Sequence, residues 1–391
     1  MNTMLSSHAL EEIDRALAAQ ESWLGHIERK ASAHRILSTL PYGKVPFWNR
    51  VVETVGARPN RLSRLTAKAG IPDASLIARL LWRAPRYDVV LLAGGERADL
   101  LYVALAALCP WIRTPHIIVD AHWQKASGGP GLLQRGLLRL ARRLLHEVQP
   151  HSAEEIAIYE REFGVPARLL RPVPWSTSLI GYDIRPAEPA QPFVLTGGQS
   201  FRDYPVFLRA AGELGVPVKM GLPPGAVSPE IRRLAEAFPC VELHTEWSNR
   251  DYFEQISACS VFAMPIEQNL TRSTADQTIL NAMHQGKIVV ATDSIGPRIY
   301  LRDAINGFLV REPTVEAWKS VLARALNLTP EERAAMADQA AFDARVRFNE
   351  RIRLGRTLDN ALSALDPSHR PSWACQLARV LGPKAASSRA A

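Results

Sequence analysis

The chain runs twice through the same alternation of short apolar segments, glycine turns and helical stretches, with a proline-rich interruption between the two series. In the first series Tyr87–Ala93 (YDVVLLA) is an apolar run closed by Gly94 and Gly95. Ala98–Leu108 has helical patterning, and Thr114–Asp120 (TPHIIVD) is again a continuous apolar run. Strands hydrophobic throughout and separated by helices belong to a parallel sheet covered on both faces, since each parallel connection must cross over a face. The spacing adds a helix over 8–30, a strand at His34–Thr39, a helix at Leu132–His146, a strand at Val148–His151 and a helix from Ser152 to Phe163. Residues 164–192 contain six prolines, which places a linker around 174–192.

The alternation then restarts. Strands are predicted at Phe193–Thr196, Val216–Met220, Val241–Leu243, Ser260–Pro265, Ile288–Thr292 and Phe308–Val310. Helices are predicted at Tyr204–Leu214, Pro229–Ala237, Asn249–Ala258, Asp276–Gln285, Pro313–Leu326, Pro330–Val346 and Asn349–Leu365. At 391 residues the chain exceeds one ordinary core. The reading is therefore α/β with two Rossmann-like domains, at 34–178 and 190–340. An N-terminal helical extension (1–33), a helix at 341–365 packing toward the first domain and a flexible tail (366–391) complete it.

Charge is unevenly spread. The net charge is +8, but residues 31–150 hold 17 Lys/Arg against 7 Asp/Glu, an excess of ten that the remainder slightly offsets. Such a segment fits a polyanionic partner or an anionic surface. It lacks interleaved surface aromatics and any helix-turn-helix or zinc pattern, which argues against nucleic acid. Cys109, Cys240, Cys259 and Cys375 are far apart, with no CxxC, so neither a zinc site nor a disulfide framework is expected. The longest apolar run, Leu100–Ile112, has 13 residues and contains Pro110, too short to span a bilayer. The expected location is cytoplasmic, peripheral on the inner face of the plasma membrane.

Three segments carry candidate chemistry. Thr196–Tyr204 (TGGQSFRDY) sets Gly197 and Gly198 at a strand end before a helix start, with Arg202 able to fork onto phosphate oxygens. Asp276, Gln277 and Thr278 open the helix of DQTILNAMHQGKIVVAT, either as simple caps or as ligand groups at the carboxyl edge of the sheet. Beyond the strand ending at Asp120 lies Asp-Ala-His-Trp. Asp120 and His122 are candidate proton acceptors there, or alternatively a turn cap and a ring packed on Trp123. Glu96 is a lesser candidate on the acceptor side. In Leu132–His146, Arg135, Arg139, Arg142 and Arg143 fall on one face and leucines on the other, the pattern of a core-covering helix or of one lying in a membrane interface.

The ordered blocks GGQSFRDY, SVFAMPIEQ, QTILNAMHQGKIVVAT and Asp303–Val310 resemble the nucleotide-sugar-binding half of GT-B glycosyltransferases of group 1, family 4 type. The likeness is strong over 193–326, weaker over 87–178 and absent from about the first 80 residues. It implies two Rossmann-like domains facing a cleft and a UDP- or GDP-sugar donor used without cofactor or metal. Arg202 would then hold the donor diphosphate. Ser273, Thr274, Asp276, Gln277 and Thr278 would line the phosphates or sugar, Thr245 the nucleobase, and His122 the donor sugar. Asn281 and Ser273 stand where the family has acids, and Gln199 where it has a cation. The implied acceptor is a lipid-linked sugar or polysaccharide bound by the basic half at an anionic membrane. A sugar-nucleotide epimerase and a non-catalytic sugar-nucleotide-binding protein are the alternatives.

Overall fold

The computed structural model describes residues 5–42, 45–56, 73–94, 97–125, 128–179, 184 and 191–373. They form two compact units, each built on its own parallel sheet. One comprises Ala18–Pro174 and Arg351–Ala391, the other Met1–Leu17 and Trp175–Glu350.

In the first-sheet unit the strands are β1 (Ile36–Ser38), β2 (Val52–Thr54), β3 (Val89–Ala93), β4 (His116–Val119) and β5 (Leu145–Val148), in the order β2-β1-β3-β4-β5. The central pair is in register from Val90 opposite His116 to Ala93 opposite Val119. Alternate residues of these strands feed two separate apolar layers. Leu37, Val90, Leu92 and Ile118 face the helices Ala74–Arg83, Arg97–Leu108, Gly128–Ala141 and Glu154–Phe163. Ile36, Val89, Leu91 and Ile117 face Trp23, Ile27, Trp48, Leu354 and Leu358. Burial on both faces is why these runs lack polar alternation.

The second-sheet unit contains β6 (Val194–Gly197), β7 (Val218–Gly221), β8 (Val241–His244), β9 (Val261–Met264), β10 (Ile288–Thr292) and β11 (Phe308–Val310), ordered β11-β10-β9-β6-β7-β8. Leu195, Phe262, Val289 and Ala291 pack on one face; Val194, Val261, Ala263 and Val290 pack on the other.

Several bounds differ from the sequence reading. The helix expected to run to His146 spans Gly128–Ala141 and its strand comes three residues early, at Leu145–Val148. Leu144 and Leu145, taken as the end of an apolar helical face, are instead buried at the turn and at the strand start. β2 and the helix Ala74–Arg83 were not anticipated, because in the basic stretch only Val52 of the three β2 residues is buried. The N-terminal helix, Ser7–Ala31, is shared between the units at Leu17 rather than forming an extension of its own. Residues 366–373 are pinned to the preceding helix Glu350–Leu365: Asp359 accepts from His369 Nε2 at 2.9 Å and from the Ser372 backbone N–H at 2.6 Å. The rest of the proposed tail lies outside the described residues. Among the described residues, no helix is long and apolar enough to cross a membrane.

Candidate functional site

In the second-sheet unit the carboxyl ends of β6 and β7 carry glycines against which aromatic side chains pack closely. A Cβ on Gly197 would lie 2.6 Å from the Tyr252 hydroxyl, and Gly198 adopts φ +106°, which L side chains rarely enter. Gly198 thereby admits Arg202, whose guanidinium would come within 3.0 Å of a Cβ there. Tyr204 fixes the turn by donating its hydroxyl to the Gly198 carbonyl at 2.7 Å. Arg202 donates to the Ser200 carbonyl, yet its Nε–H is buried with no hydrogen-bond partner, and it holds no ion pair among the described residues. Burial pulls the guanidinium pKa down, and Tyr204, Tyr252, Asp276 and Glu267 partly restore it. The Tyr252 hydroxyl and Thr274 Oγ1 are likewise buried without partners among the described residues. Buried orphaned donors are uncommon in folded proteins and mark places where a ligand can complete the bonding.

The helix Asp276–His284 starts beside this turn after Ala275, which is left-handed (φ 67°) and supplies no side-chain cap. Its first backbone N–H groups and positive dipole end therefore face the same edge. Asp276 is buried and accepts from Ser273 Oγ at 2.8 Å, so Ser273 serves to orient this carboxylate. Gln277 is exposed and Thr278 half-buried one turn into the helix. Thr245, at the end of β8, donates to Glu246 at 3.1 Å. Beside it the rings of His244 and Trp247 stack at 4.3 Å with 14° between planes, and Trp247 packs on Gly221. This half-exposed aromatic pair was missed in the sequence, where the loop was read only for its backbone.

One donor-side assignment is corrected. Asn281 is 2% exposed, and its amide is committed to the segment before β6. Its Oδ1 accepts from Thr177 Oγ1 and the Ser178 N–H, both at 2.9 Å, while Nδ2 donates to Ser178 Oγ at 2.9 Å. It anchors the incoming chain and presents no polar atom to a ligand.

In the first-sheet unit β4 leads into Asp120, left-handed at φ 55°. Its carboxylate accepts from Arg353 and from the Tyr42 hydroxyl at 3.2 Å, and His151 Nε2 lies 3.7 Å away. Arg353 is itself buried and donates to Tyr42 at 2.6 Å. Burial alone would raise the Asp120 pKa, but Arg353 and His151 outweigh it and hold the carboxyl far below the usual range. A carboxylate so stabilised is a poor proton acceptor, which corrects the reading of Asp120 as a base. Arg353, 233 residues away, was missed because an arginine inside an amphipathic helix reads as solvated. His122 packs against the His151 ring at 5.0 Å rather than against Trp123. Trp123 stacks on Tyr159 and donates Nε1–H to the Gly94 carbonyl at 2.7 Å. Asp120 is thus committed to Arg353 and Tyr42, and His122 lies beyond β4 against the ring of His151. Glu96 lies outside the described residues.

The basic helix is also reassigned. Arg143 donates to the carbonyls of Ala107 and Cys109, both at 2.8 Å, closing the end of the helix Arg97–Leu108. Arg142 bonds the Gly164 carbonyl, and Arg135 donates to the Glu162 carbonyl at 2.6 Å. Arg139 is exposed. Of the leucines on this helix, Leu132 and Leu133 are exposed, while Leu138 is buried.

Residues 220–327 match the family model described as "Glycosyl transferases group 1". Among solved structures, HepE from Anabaena in complex with UDP-glucose is similar at 17% identity and TM-score 0.60, covering 85% of this chain and 100% of its own. A glycosyltransferase from Rickettsia africae aligns at 13% identity and TM-score 0.62, over 88% and 95%. Sucrose-phosphate synthase from Thermosynechococcus elongatus aligns at 14% identity and TM-score 0.56, over 74% and 79%. No curated protein matches the sequence. The likeness to group 1 glycosyltransferases read from the motif blocks thus recurs in the family match, which spans the last three of the four. The two parallel α/β sheets are those of the GT-B fold.

Proposed function

We propose that this chain is a glycosyltransferase that takes a hexosyl group from a UDP- or GDP-sugar, without a metal, and passes it to a lipid-linked sugar or polysaccharide acceptor in surface polysaccharide assembly. The observation that carries the donor half is the edge where Arg202, with its unpartnered Nε–H, meets the open start of the helix Asp276–His284. A cation and a helix N-terminus can neutralise a leaving diphosphate in the role a metal plays elsewhere. The stacked His244–Trp247 pair beside Thr245 offers a flat surface for a nucleobase. UDP-glucose in the HepE structure favours a uridine nucleotide within this reading. The acceptor half rests on the basic excess of residues 31–150, suited to a phosphate-bearing acceptor at the cytoplasmic face of an anionic membrane. His122, backed by His151, is the group assigned to the reacting sugar.

Transfer of radiolabelled hexose from UDP- or GDP-sugar into a bacterial lipid extract tests the reading. We expect incorporation that survives EDTA and falls about 10- to 100-fold in Arg202→Ala, the value of losing charge-assisted bonds to phosphate. Nucleotide-sugar binding without incorporation into any acceptor would favour a non-catalytic binder, the reading that Asn281 and Ser273 in place of acids supports.

A further inference from the structure

Nine large apolar side chains are exposed among the described residues, and seven of them lie in the first-sheet unit: Trp82, Leu105, Leu108, Trp111, Leu132, Leu133 and Leu140. They lie on one helical layer. The helices Ala74–Arg83, Arg97–Leu108 and Gly128–Ala141 pack side by side over the same sheet face and share one core. In parallel β–α–β units such helices run in the same direction, so their C-terminal ends meet at one edge of the sheet. Specific bonds hold those ends together. Thr114 Oγ1 donates to the Ala84 carbonyl at 2.9 Å, tying the end of the first helix to the turn after the second. Arg143 donates to the carbonyls of Ala107, Cys109 and Ile112, tying the end of the third helix to that same turn. Trp82, Leu108, Trp111 and Leu140 are thereby gathered on one rigid rim, where Trp82 and Trp111 are each 68% exposed and Leu108 61%.

Exposed arginines flank this rim. Arg86 lies over the Trp82 ring at 3.8 Å, and Arg113 and Arg139 are exposed beside Trp111 and Leu140. Two acids of this unit are paired with other arginines: Glu53 with Arg83 and Asp88 with Arg35. We propose that this rim is a membrane-docking edge that inserts Trp82, Leu108, Trp111 and Leu140 into the headgroup–acyl boundary of an anionic bilayer, with Arg86, Arg113 and Arg139 on the lipid phosphates. Tryptophan suits that depth because its ring is apolar and its N–H remains at the wet side. Each cation near an anionic surface strengthens binding by roughly fivefold. A second copy of the chain fits less well, because a two-fold interface through this patch would set the same arginines against one another.

This rests on the membrane side of the proposed function, sits at the amino ends of the strands and not at the carboxyl ends that carry Asp120 and His122, and replaces the basic-helix version, since Arg135, Arg142 and Arg143 are spent on backbone carbonyls. The test is flotation of the full chain with phosphatidylglycerol–phosphatidylcholine vesicles, without donor. The wild type should float with the mixed vesicles and not with phosphatidylcholine alone, and its tryptophan emission should shift to the blue. Trp82→Ser/Trp111→Ser should bind roughly tenfold or more weakly while keeping its melting temperature and its response to nucleotide-sugar. Because that response is read separately, failure of the docking edge and failure of the glycosyltransferase reading are distinguishable. Equal flotation of wild type and variant would overturn the proposal, as would no flotation of the wild type. A wild-type dimer that the double variant dissolves would assign the rim to self-association and overturn it too.

Discussion

Two arginines show how differently the two sheets treat their carboxyl edges. In the first-sheet unit Arg353 is buried against Asp120 and Tyr42, so its charge is cancelled inside the protein. In the second-sheet unit Arg202 is only half-buried, and it meets a carbonyl with no paired carboxylate among the described residues. Burying a cation without a counter-charge is costly. An arginine without a paired carboxylate can take an anion from outside the chain, which is the part proposed for Arg202, whereas Arg353 is held in a structural pair.

The largest test of this contrast is Arg353→Met. It leaves the Asp120 carboxylate buried and uncompensated, and should cost about 3–5 kcal/mol of stability. Urea unfolding checks it, and adding Asp120→Asn should recover most of the loss. Arg202→Ala, by contrast, should leave stability unchanged or slightly higher.

Next is a pH effect confined to the first-sheet unit. Glu147 on β5 is buried beside Gln149, and burial pushes its carboxyl up to about 7, against the lowering effect of its hydrogen bonds. The folded state therefore binds a proton that the unfolded chain releases near pH 4.3. Stability from this group is highest below that pH and declines as pH rises to about 7, by up to about 3 kcal/mol. Glu147→Gln should flatten unfolding free energy across that window, and an unchanged slope would show that another group titrates there.

A smaller effect separates anchoring from binding within the second-sheet unit. Asn281→Ala removes three hydrogen bonds to Thr177 and Ser178 and should cost about 1–3 kcal/mol in thermal unfolding. Its effect on nucleotide-sugar affinity should be well below that of Arg202→Ala. A comparable loss would return Asn281 to the donor site.

The sequence was most legible where the pattern is local. Gly197, Gly198 and Arg202 sit within six residues of one another, and the start of the helix Asp276–His284 is a local signal. What stayed hidden depends on distant partners. Nothing near Asp120 reveals Arg353, nothing near Asn281 reveals Thr177, and His151 became a neighbour of His122 only through the pairing of β4 with β5. The misplaced end of the helix Gly128–Ala141 has the same origin. Leu144 and Leu145 fit a helical stripe as well as a strand, and the adjacent β4 decides between them.

The central claim is that Arg202 and the helix start beside it form a nucleotide-sugar site. Thermal unfolding of wild type and Arg202→Ala with UDP-, GDP- and ADP-sugars tests it most directly. A ligand at about 100 times its dissociation constant adds about 2.7 kcal/mol. The account predicts a rise of several degrees with a UDP- or GDP-sugar in the wild type and almost none in the variant. No rise with any of the three, or an equal rise in both proteins, would contradict it.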